Sequence, residues 1–151
     1  MRYLKQLKEI KESVTTPTYM AGLAQARAYR LLQSNFNRVL QPFDLTMSEW
    51  AMLGCIYDAG ELRLSELAEV MDIKPPQVTV MTEKLIGKGL IKTVVDTDDN
   101  RSRIVSLTDA GTKLVPQAEA EARSFMRKYM HGVSPGDLLA YLRVIAFLAD
   151  K

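Results

Sequence analysis

The fold is decided by Leu64 to Thr108, which reads LSELAEVMDIKPPQVTVMTEKLIGKGLIKTVVDTDDNRSRIVSLT. Ser65 suits the N-cap of a helix from Glu66 to Met71, and Asp72-Ile73-Lys74 provides a three-residue turn. A second helix runs from Pro75 to Ile86, because proline fits the first helical turn, where its missing N–H costs nothing. The first part of the stretch therefore predicts two helices joined by a tight turn.

The residues after Gly89 have the β-branched pattern of strands rather than the spacing of helices. Leu90 to Val95 and Arg103 to Leu107 form two strands, and the polar residues Asp96 to Ser102 form the loop between them. A helix, a turn, a helix and a hairpin in this order are typical of a winged helix-turn-helix. The second helix of that motif enters the major groove of DNA.

Helical spacing continues on both sides of this lobe, with apolar residues every three or four positions. Thr46 and Glu49 form a capping box at the start of the helix that leads into it. The sequence thus predicts a mainly α fold with a small β-hairpin wing and six to seven helices. The predicted flanking helices are Met1 to Val14, Tyr19 to Leu40, Met47 to Asp58, Asp109 to Tyr129 and Pro135 to Ala149.

The apolar faces of these helices predict the core. In the helix from Met47 to Asp58 the buried stripe is expected to be Trp50, Leu53, Ile56 and Tyr57. In the first helix of the helix-turn-helix the inward residues are expected to be Leu67, Val70 and Met71.

The composition is that of a globular protein with a mild basic bias. Hydrophobic residues make up 47% of the 151 residues, charged residues 25%, and the net charge is +2. A single cysteine and a single histidine leave too few ligands for a zinc site, and no metal or cofactor is expected. No apolar run approaches the ~20 residues of a membrane span, and a cytoplasmic location is expected.

The apolar residues Val78, Met81 and Leu85 of the second helix are expected to point toward the core. The opposite face of the helix is then free to contact DNA. Gln77 has an amide that can pair with N6 and N7 of adenine, and Val80 can contact a thymine methyl group. The lysines suit phosphates, which position a protein on DNA without reading its sequence. The predicted contacts of this helix and its flanks are Lys74, Pro76, Gln77, Thr79, Val80, Lys84 and Lys88.

The loop of the hairpin is expected to reach the minor groove. Arg101 lies in this projecting loop, and arginine is the side chain that reads a narrow, electronegative minor groove. Asp99, two residues earlier, can hold its guanidinium, and Arg103 adds a further cation at the loop's end. The other interpretation is a charged hairpin that serves only solubility.

These residues together resemble the MarR family of transcriptional regulators. The similarity covers about half of the chain, in order and with family-like spacing. The matching stretches are Leu45-Thr46 with Trp50 and Leu53, Leu64 to Ala68, Val78-Thr79 with Leu85, Lys88 to Ile91, Asp99 to Arg101, and Val105 to Gly111.

The resemblance implies an obligate homodimer that places two recognition helices in successive major grooves of a pseudo-palindrome. It implies a repressor that a small aromatic ligand releases from DNA, with Arg101 as the minor-groove residue and Asp99 as its partner. One continuous protomer would comprise N-terminal dimerisation helices in residues 1–44, the DNA-binding lobe in 45–111 and C-terminal dimerisation helices in 112–151.

Five positions depart from the family pattern. The recognition helix begins with Pro75-Pro76 in place of a serine-rich start, and Val80 stands where many members have arginine. Asp72 replaces a frequent glycine in the turn, and Asn100 replaces a frequent arginine in the wing. These departures leave the fold intact and put the base contacts carried over from the family in doubt.

An effector would be expected between the dimer helices and the DNA-binding lobe. The aromatic residues that could line such a pocket are Tyr19, Tyr29, Phe36, Trp50 and Tyr57, and the other interpretation of each is a core or dimer contact. Cys55 has no basic residue within four positions and does not lie at a helix N-terminus. Packing therefore explains it better than redox sensing, which needs an exposed thiol of low pKa.

Two other classes of function remain to be compared with a regulator. A winged-helix module that binds proteins rather than DNA is the alternative that the mild charge and Val80 leave open. An enzyme is not expected, because the sequence has neither a catalytic triad pattern, nor a glycine-rich phosphate loop, nor a metal-ligand cluster.

Overall fold

A computed structural model describes residues 18–97 and 102–150 of the chain. The helix predicted for Met1 to Val14 lies outside the described residues, as do Asp98 to Arg101 of the wing. Within the described part, no helix is both long and apolar enough to cross a membrane.

The described residues form six α-helices and one small antiparallel sheet. This confirms the predicted mainly α fold with a hairpin wing and adds a third strand, β1, to that hairpin. A short 3-10 turn, Gln41–Phe43, separates the first two helices. The elements in chain order are α1 Thr18–Leu40, α2 Met47–Ala59, β1 Glu61–Arg63, α3 Leu64–Met71, α4 Pro75–Gly87, β2 Ile91–Val95, β3 Arg103–Leu107, α5 Asp109–Tyr129 and α6 Pro135–Ala149.

The start of α2 is fixed by the predicted capping box. The Glu49 N–H donates to Thr46 Oγ1 over 3.2 Å, and the Thr46 N–H donates to Glu49 Oε2 over 2.9 Å. Two donors that the helix itself leaves unpaired are thereby satisfied. The box also places Glu49 inside the fold, where it is one of the few buried charged residues described.

The start of α3 differs from the prediction. Ser65 is not the N-cap, because β1 leads directly into the helix and α3 begins at Leu64. Arg63 is the N-cap, and its N–H donates to Glu66 Oε2 over 2.7 Å. Asp72 ends the helix in the left-handed conformation at φ 49°, which aspartate tolerates better than most residues.

The core joins α1, α2 and the helix-turn-helix. As predicted, Leu53, Ile56, Leu67, Val78 and Leu85 are buried, and Leu40, Met52 and Val105 complete the centre. The burial predicted for two residues is wrong: Tyr57 is 44% exposed and Val70 is 64% exposed. Both lie at the sides of the apolar stripes of their helices, and only the arrangement of the neighbouring helices decides how far a stripe is covered.

Thr108 joins the end of the wing to the segment that follows α4. Its hydroxyl donates to Gly89 O over 2.7 Å, and its N–H donates to Leu90 O over 3.0 Å. The same hydroxyl accepts from the Gly111 N–H over 3.1 Å and so caps α5. Gly111 is buried directly against the Leu90 backbone. Because glycine has no Cβ, the first turn of α5 can pack against Leu90 at this point.

A partly buried ion pair joins the end of α4 to α2. The Lys88 ammonium lies 3.2 Å from Glu49 Oε2, 3.4 Å from Asp44 Oδ2, and within hydrogen-bond reach of Asp44 O. Burial alone would raise the pKa of Glu49. The bonds from Thr46 and Lys88 outweigh this effect and hold the pKa below its ordinary value of 4.5.

We expect Glu49→Gln to lower the free energy of unfolding by about 2 kcal/mol at pH 7, because Lys88 loses its buried counter-ion. A carboxylate whose pKa is lowered by folding stabilises the fold above its unfolded-state pKa, and this contribution is lost as the pH falls through the folded-state pKa. Urea denaturation should therefore show the difference shrinking below pH 4.5. The control is Asp44→Asn, whose carboxylate is 87% exposed and whose loss should be hardly measurable. A difference between Glu49→Gln and wild type that does not depend on pH would contradict the prediction.

The C-terminal helix α6 lies at the surface of the chain. None of its residues is buried, although most of them are apolar. Seven large apolar side chains of α6 are exposed, namely Leu139, Tyr141, Leu142, Val144, Ile145, Phe147 and Leu148. An apolar surface of this extent on a small protein is a candidate interface.

Candidate nucleic-acid interface

The first turn of α4 has its backbone donors already engaged. Pro75 and Pro76 have no N–H, and the N–H groups of Gln77 and Val78 both donate to Lys74 O, over 2.8 and 3.3 Å. The Lys74 N–H donates to Gln77 Oε1 over 3.1 Å. A helix N-terminus that binds phosphate does so through free backbone N–H groups. Here the binding of a phosphate falls to side chains.

The outer face of α4 collects four of the predicted contact residues. Pro76, Gln77, Val80 and Lys84 line one side of a shallow concavity of about 360 Å³, and Thr46 with Glu49 of α2 lies opposite. Gln77 uses its carbonyl oxygen in the cap, so it presents its amide N–H₂ as a donor in this conformation. Pairing with both N6 and N7 of adenine would require that oxygen as well.

The other side of α4 faces the wing across a groove of about 570 Å³. Thr79, Thr82 and Glu83 line it from the helix, and Thr93 and Arg103 line it from the strands. The Thr79 hydroxyl donates to Pro75 O over 3.1 Å, which leaves its oxygen as an acceptor. Thr79 therefore suits a base amino group better than a phosphate.

The described lysines of the lobe, together with Arg103, fall into two groups. Lys74, Lys84, Lys92 and Arg103 are exposed on the helix and the wing. Lys88 differs, because its ammonium is held by Glu49 and Asp44 inside the protomer. The structure thus places Lys88 as a link between elements, with its ammonium already paired.

The base of the wing contains an ion pair that the sequence did not indicate. Arg63 Nε lies 2.6 Å from Asp96 Oδ2, and the Asp96 side chain is only 3% exposed. The two residues are 33 positions apart, so no local pattern signals their contact. Asp99 and Arg101, the predicted minor-groove pair, lie outside the described residues.

The comparisons with known proteins point to one family. A protein-family model described as MarR family matches residues 45–102. This match supports an assignment of the winged helix-turn-helix region to the MarR family. Two curated relatives come from Bacillus subtilis strain 168. The uncharacterized HTH-type transcriptional regulator YhbI is 35% identical over 83 residues, or 55% of this chain, and the aligned part spans only 54% of YhbI. The HTH-type transcriptional repressor MdtR is 28% identical over 81% of this chain and 79% of its own length.

Solved structures of the family share the fold. A mutant MarR from E. coli complexed with operator DNA superposes with a TM-score of 0.82 at 17% identity and covers 91% of this chain and 99% of that one. NadR in complex with 4-hydroxyphenylacetate gives a TM-score of 0.70 at 23% identity and covers 93% and 98% of the two chains. At these identities the likeness shows the winged-helix fold.

The five aromatic residues predicted for an effector pocket do not come together in this chain. Phe36 is buried and stacks on Trp50 with ring centroids 5.5 Å apart, so these two belong to the core. Tyr19 and Tyr57 are exposed. Tyr29 alone of the five lines an apolar cavity of about 580 Å³ between α1, α5 and α6. The residues that line that cavity with it include Leu32, Met126, Tyr129, Leu138, Tyr141 and Ile145.

Cys55 lies half-buried in α2. Burial and the negative charge of Asp58 raise the pKa of its thiol above the ordinary value. A raised pKa lowers the fraction of thiolate, which is the reactive form. The environment of Cys55 therefore favours packing, the interpretation that the sequence preferred, over redox sensing.

Proposed function

We propose that this protein is a sequence-specific DNA-binding transcriptional regulator, a repressor that binds a pseudo-palindromic operator as a homodimer. The observation that carries the proposal is the placement of α4. The helix presents Pro76, Gln77, Val80 and Lys84 outward, and the wing stands beside it across an open groove. This is the arrangement in which a winged helix-turn-helix reads the major groove with the helix and the minor groove with the wing.

The contacts divide by chemistry. Lys74, Lys84 and Lys92 are exposed point charges for phosphates, and Arg103 adds a cation at the wing. Gln77 and Thr79 offer a donor and an acceptor to base edges, and Val80 offers a methyl contact. The double proline at the helix start makes these side chains, rather than backbone N–H groups, responsible for affinity.

The dimer is built from the terminal helices. Exposed apolar residues occur on α6 and also on α1, where Leu23 and Leu31 are exposed. A second copy of the chain that covers these faces places two α4 helices about one turn of DNA apart. A cytoplasmic location belongs to the same proposal, since the curated relatives above are named as transcriptional regulators.

A small aromatic effector is the regulatory part of the proposal. NadR was solved with 4-hydroxyphenylacetate, a ligand of that class. In this chain the cavity lined by Tyr29, Tyr129 and Tyr141 is apolar and large enough for such a molecule. A thermal-shift screen of aromatic acids tests this part separately from DNA binding.

Arg101→Ala tests the DNA-binding proposal. We expect it to weaken binding of a duplex from the region upstream of the protein's own gene roughly ten-fold, because a minor-groove cation is lost. Fluorescence anisotropy of labelled duplex at fixed salt measures the dissociation constant. Arg127→Ala, an exposed arginine at the end of α5, is the control and should leave binding unchanged.

Two results would count against the proposal. Equal effects of Arg101→Ala and Arg127→Ala would mean that binding rests on net charge alone, without a wing contact. A wild-type dimer that binds no duplex, but retains a protein from its host, would favour the alternative of a protein-interaction module.

A further inference from the structure

We propose that the ion pair between Arg63 and Asp96 positions the wing for its contact with DNA. The inference rests on the proposed function, and it assigns these residues a role in placing the wing rather than in touching the duplex. Arg63 and Asp96 are therefore positioning residues for the winged helix.

Asp96 lies where the wing leaves the body of the lobe. It follows the last residue of β2, and its N–H donates to Ser102 O over 2.9 Å, which closes the hairpin below the loop. Its side chain is 3% exposed, and its Oδ2 accepts from Arg63 Nε over 2.6 Å. A nearly buried carboxylate with a charge-assisted bond this short is a fixed point of the hairpin.

Arg63 lies in the strand at the opposite edge of the same sheet. The strand order is β1-β3-β2, and Arg63 of β1 pairs with Ile104 of β3, which pairs in turn with Val94 of β2. Neighbouring strands lie about 4.8 Å apart, so the arginine side chain crosses the width of β3 to reach Asp96. The pair thus connects the two edge strands of the sheet across its central strand.

The same arginine belongs to the helix-turn-helix. Arg63 is the N-cap of α3, and its N–H donates to Glu66 Oε2 over 2.7 Å. One residue therefore links the first helix of the motif to the base of the wing. Two-stranded ribbons twist more readily than wider sheets, and a link at the base limits where the loop can stand relative to α4.

The sign of the effect of Asp96→Asn separates positioning from simple electrostatics. Removing an anion from a DNA-binding lobe should tighten binding if charge alone mattered, since DNA is a polyanion. Positioning predicts the reverse, because the amide cannot keep the ionic bond to Arg63. We expect Asp96→Asn to bind the upstream duplex about ten-fold more weakly than wild type.

The control is Glu66→Gln, which alters the exposed partner of Arg63 and leaves Asp96 intact; its affinity should stay within about two-fold of wild type. Circular dichroism and thermal unfolding establish that each variant is folded. Should Asp96→Asn fail to fold, Arg63→Lys takes its place, because it keeps a positive charge beside the buried Asp96 carboxylate and removes only the guanidinium that bonds to it. A loss of at least about three-fold is expected for it, whereas charge alone predicts no change.

The deciding measurement is a double-mutant cycle with Arg101→Ala. If the pair positions the wing, Arg101→Ala should cost about ten-fold in wild type and less than about two-fold in the Asp96→Asn background. A general loss of stability would leave both costs equal, and that result would overturn the inference. Unchanged or tighter binding by folded Asp96→Asn would overturn it too. A wild-type protein that binds no duplex would instead overturn the proposed function.

Discussion

Replacing Gly111 with alanine is expected to destabilise the fold by at least about 3 kcal/mol, enough to lower the melting temperature by roughly 10 °C. A Cβ on Gly111 would lie 2.1 Å from Leu90 O, 3.1 Å from Leu90 C and 3.3 Å from Leu107 Cδ2. The first two atoms belong to the backbone and have little freedom to move. The same Leu90 O accepts from the Thr108 N–H, so a displacement that relieves the clash also strains the end of the wing.

Helix propensity acts against this effect and is weaker. Alanine is favoured over glycine by about 1 kcal/mol inside a helix, and Gly111 lies in the first turn of α5. The matched control is Gly87→Ala in the last turn of α4, where a Cβ meets nothing within 4 Å. That variant should be neutral or slightly more stable in urea denaturation. If Gly111→Ala were as stable as Gly87→Ala, α5 would not start against Leu90 as described.

The second large effect is expected from Leu142→Asp. Leu142 is 52% exposed on α6 and does not line the cavity between α1, α5 and α6, so a second protomer is the proposed cover for it. A buried aspartate without a partner costs several kcal/mol and should split the dimer. A monomer engages one half-site at a time, and the loss of the tethered second site should weaken operator binding at least about a hundred-fold.

Sedimentation velocity and DNA anisotropy on the same samples measure both parts of this prediction. Arg143→Asp is the control, since it changes charge at the neighbouring polar position of α6 without placing a carboxylate in an apolar face. It should remain dimeric and bind DNA with nearly wild-type affinity. A dimeric Leu142→Asp variant would show that α6 is not the interface.

The sequence by itself determined the local elements, because their signals lie within a few residues. The capping box of Thr46 and Glu49, the double proline at the start of α4, and the bounds of α5 were all predicted and are all observed. The hairpin followed from β-branched residues around a polar loop. Each of these features depends on the conformational preference of a short segment, so neighbours along the chain suffice to specify it.

Only the tertiary structure decided which side chains meet. Lys88 was grouped with the phosphate contacts from its charge, whereas its ammonium lies against Glu49, 39 residues away in sequence. The five aromatic residues of the predicted pocket were chosen by type, and the packing of α1 on α2 makes Phe36 and Trp50 a core pair. A side chain's type states what it can bind, and only its neighbours in space state whether that capacity is already used.

The wing shows both kinds of information in one element. The sequence established from local patterns that a hairpin follows the recognition helix and that its loop carries Arg101. The arrangement of β1, β3 and β2 established that Arg63 reaches Asp96 across the sheet. Pairing between strands distant in sequence follows from how the whole chain closes on itself, so the fixing of the wing to the lobe became visible only in the assembled fold.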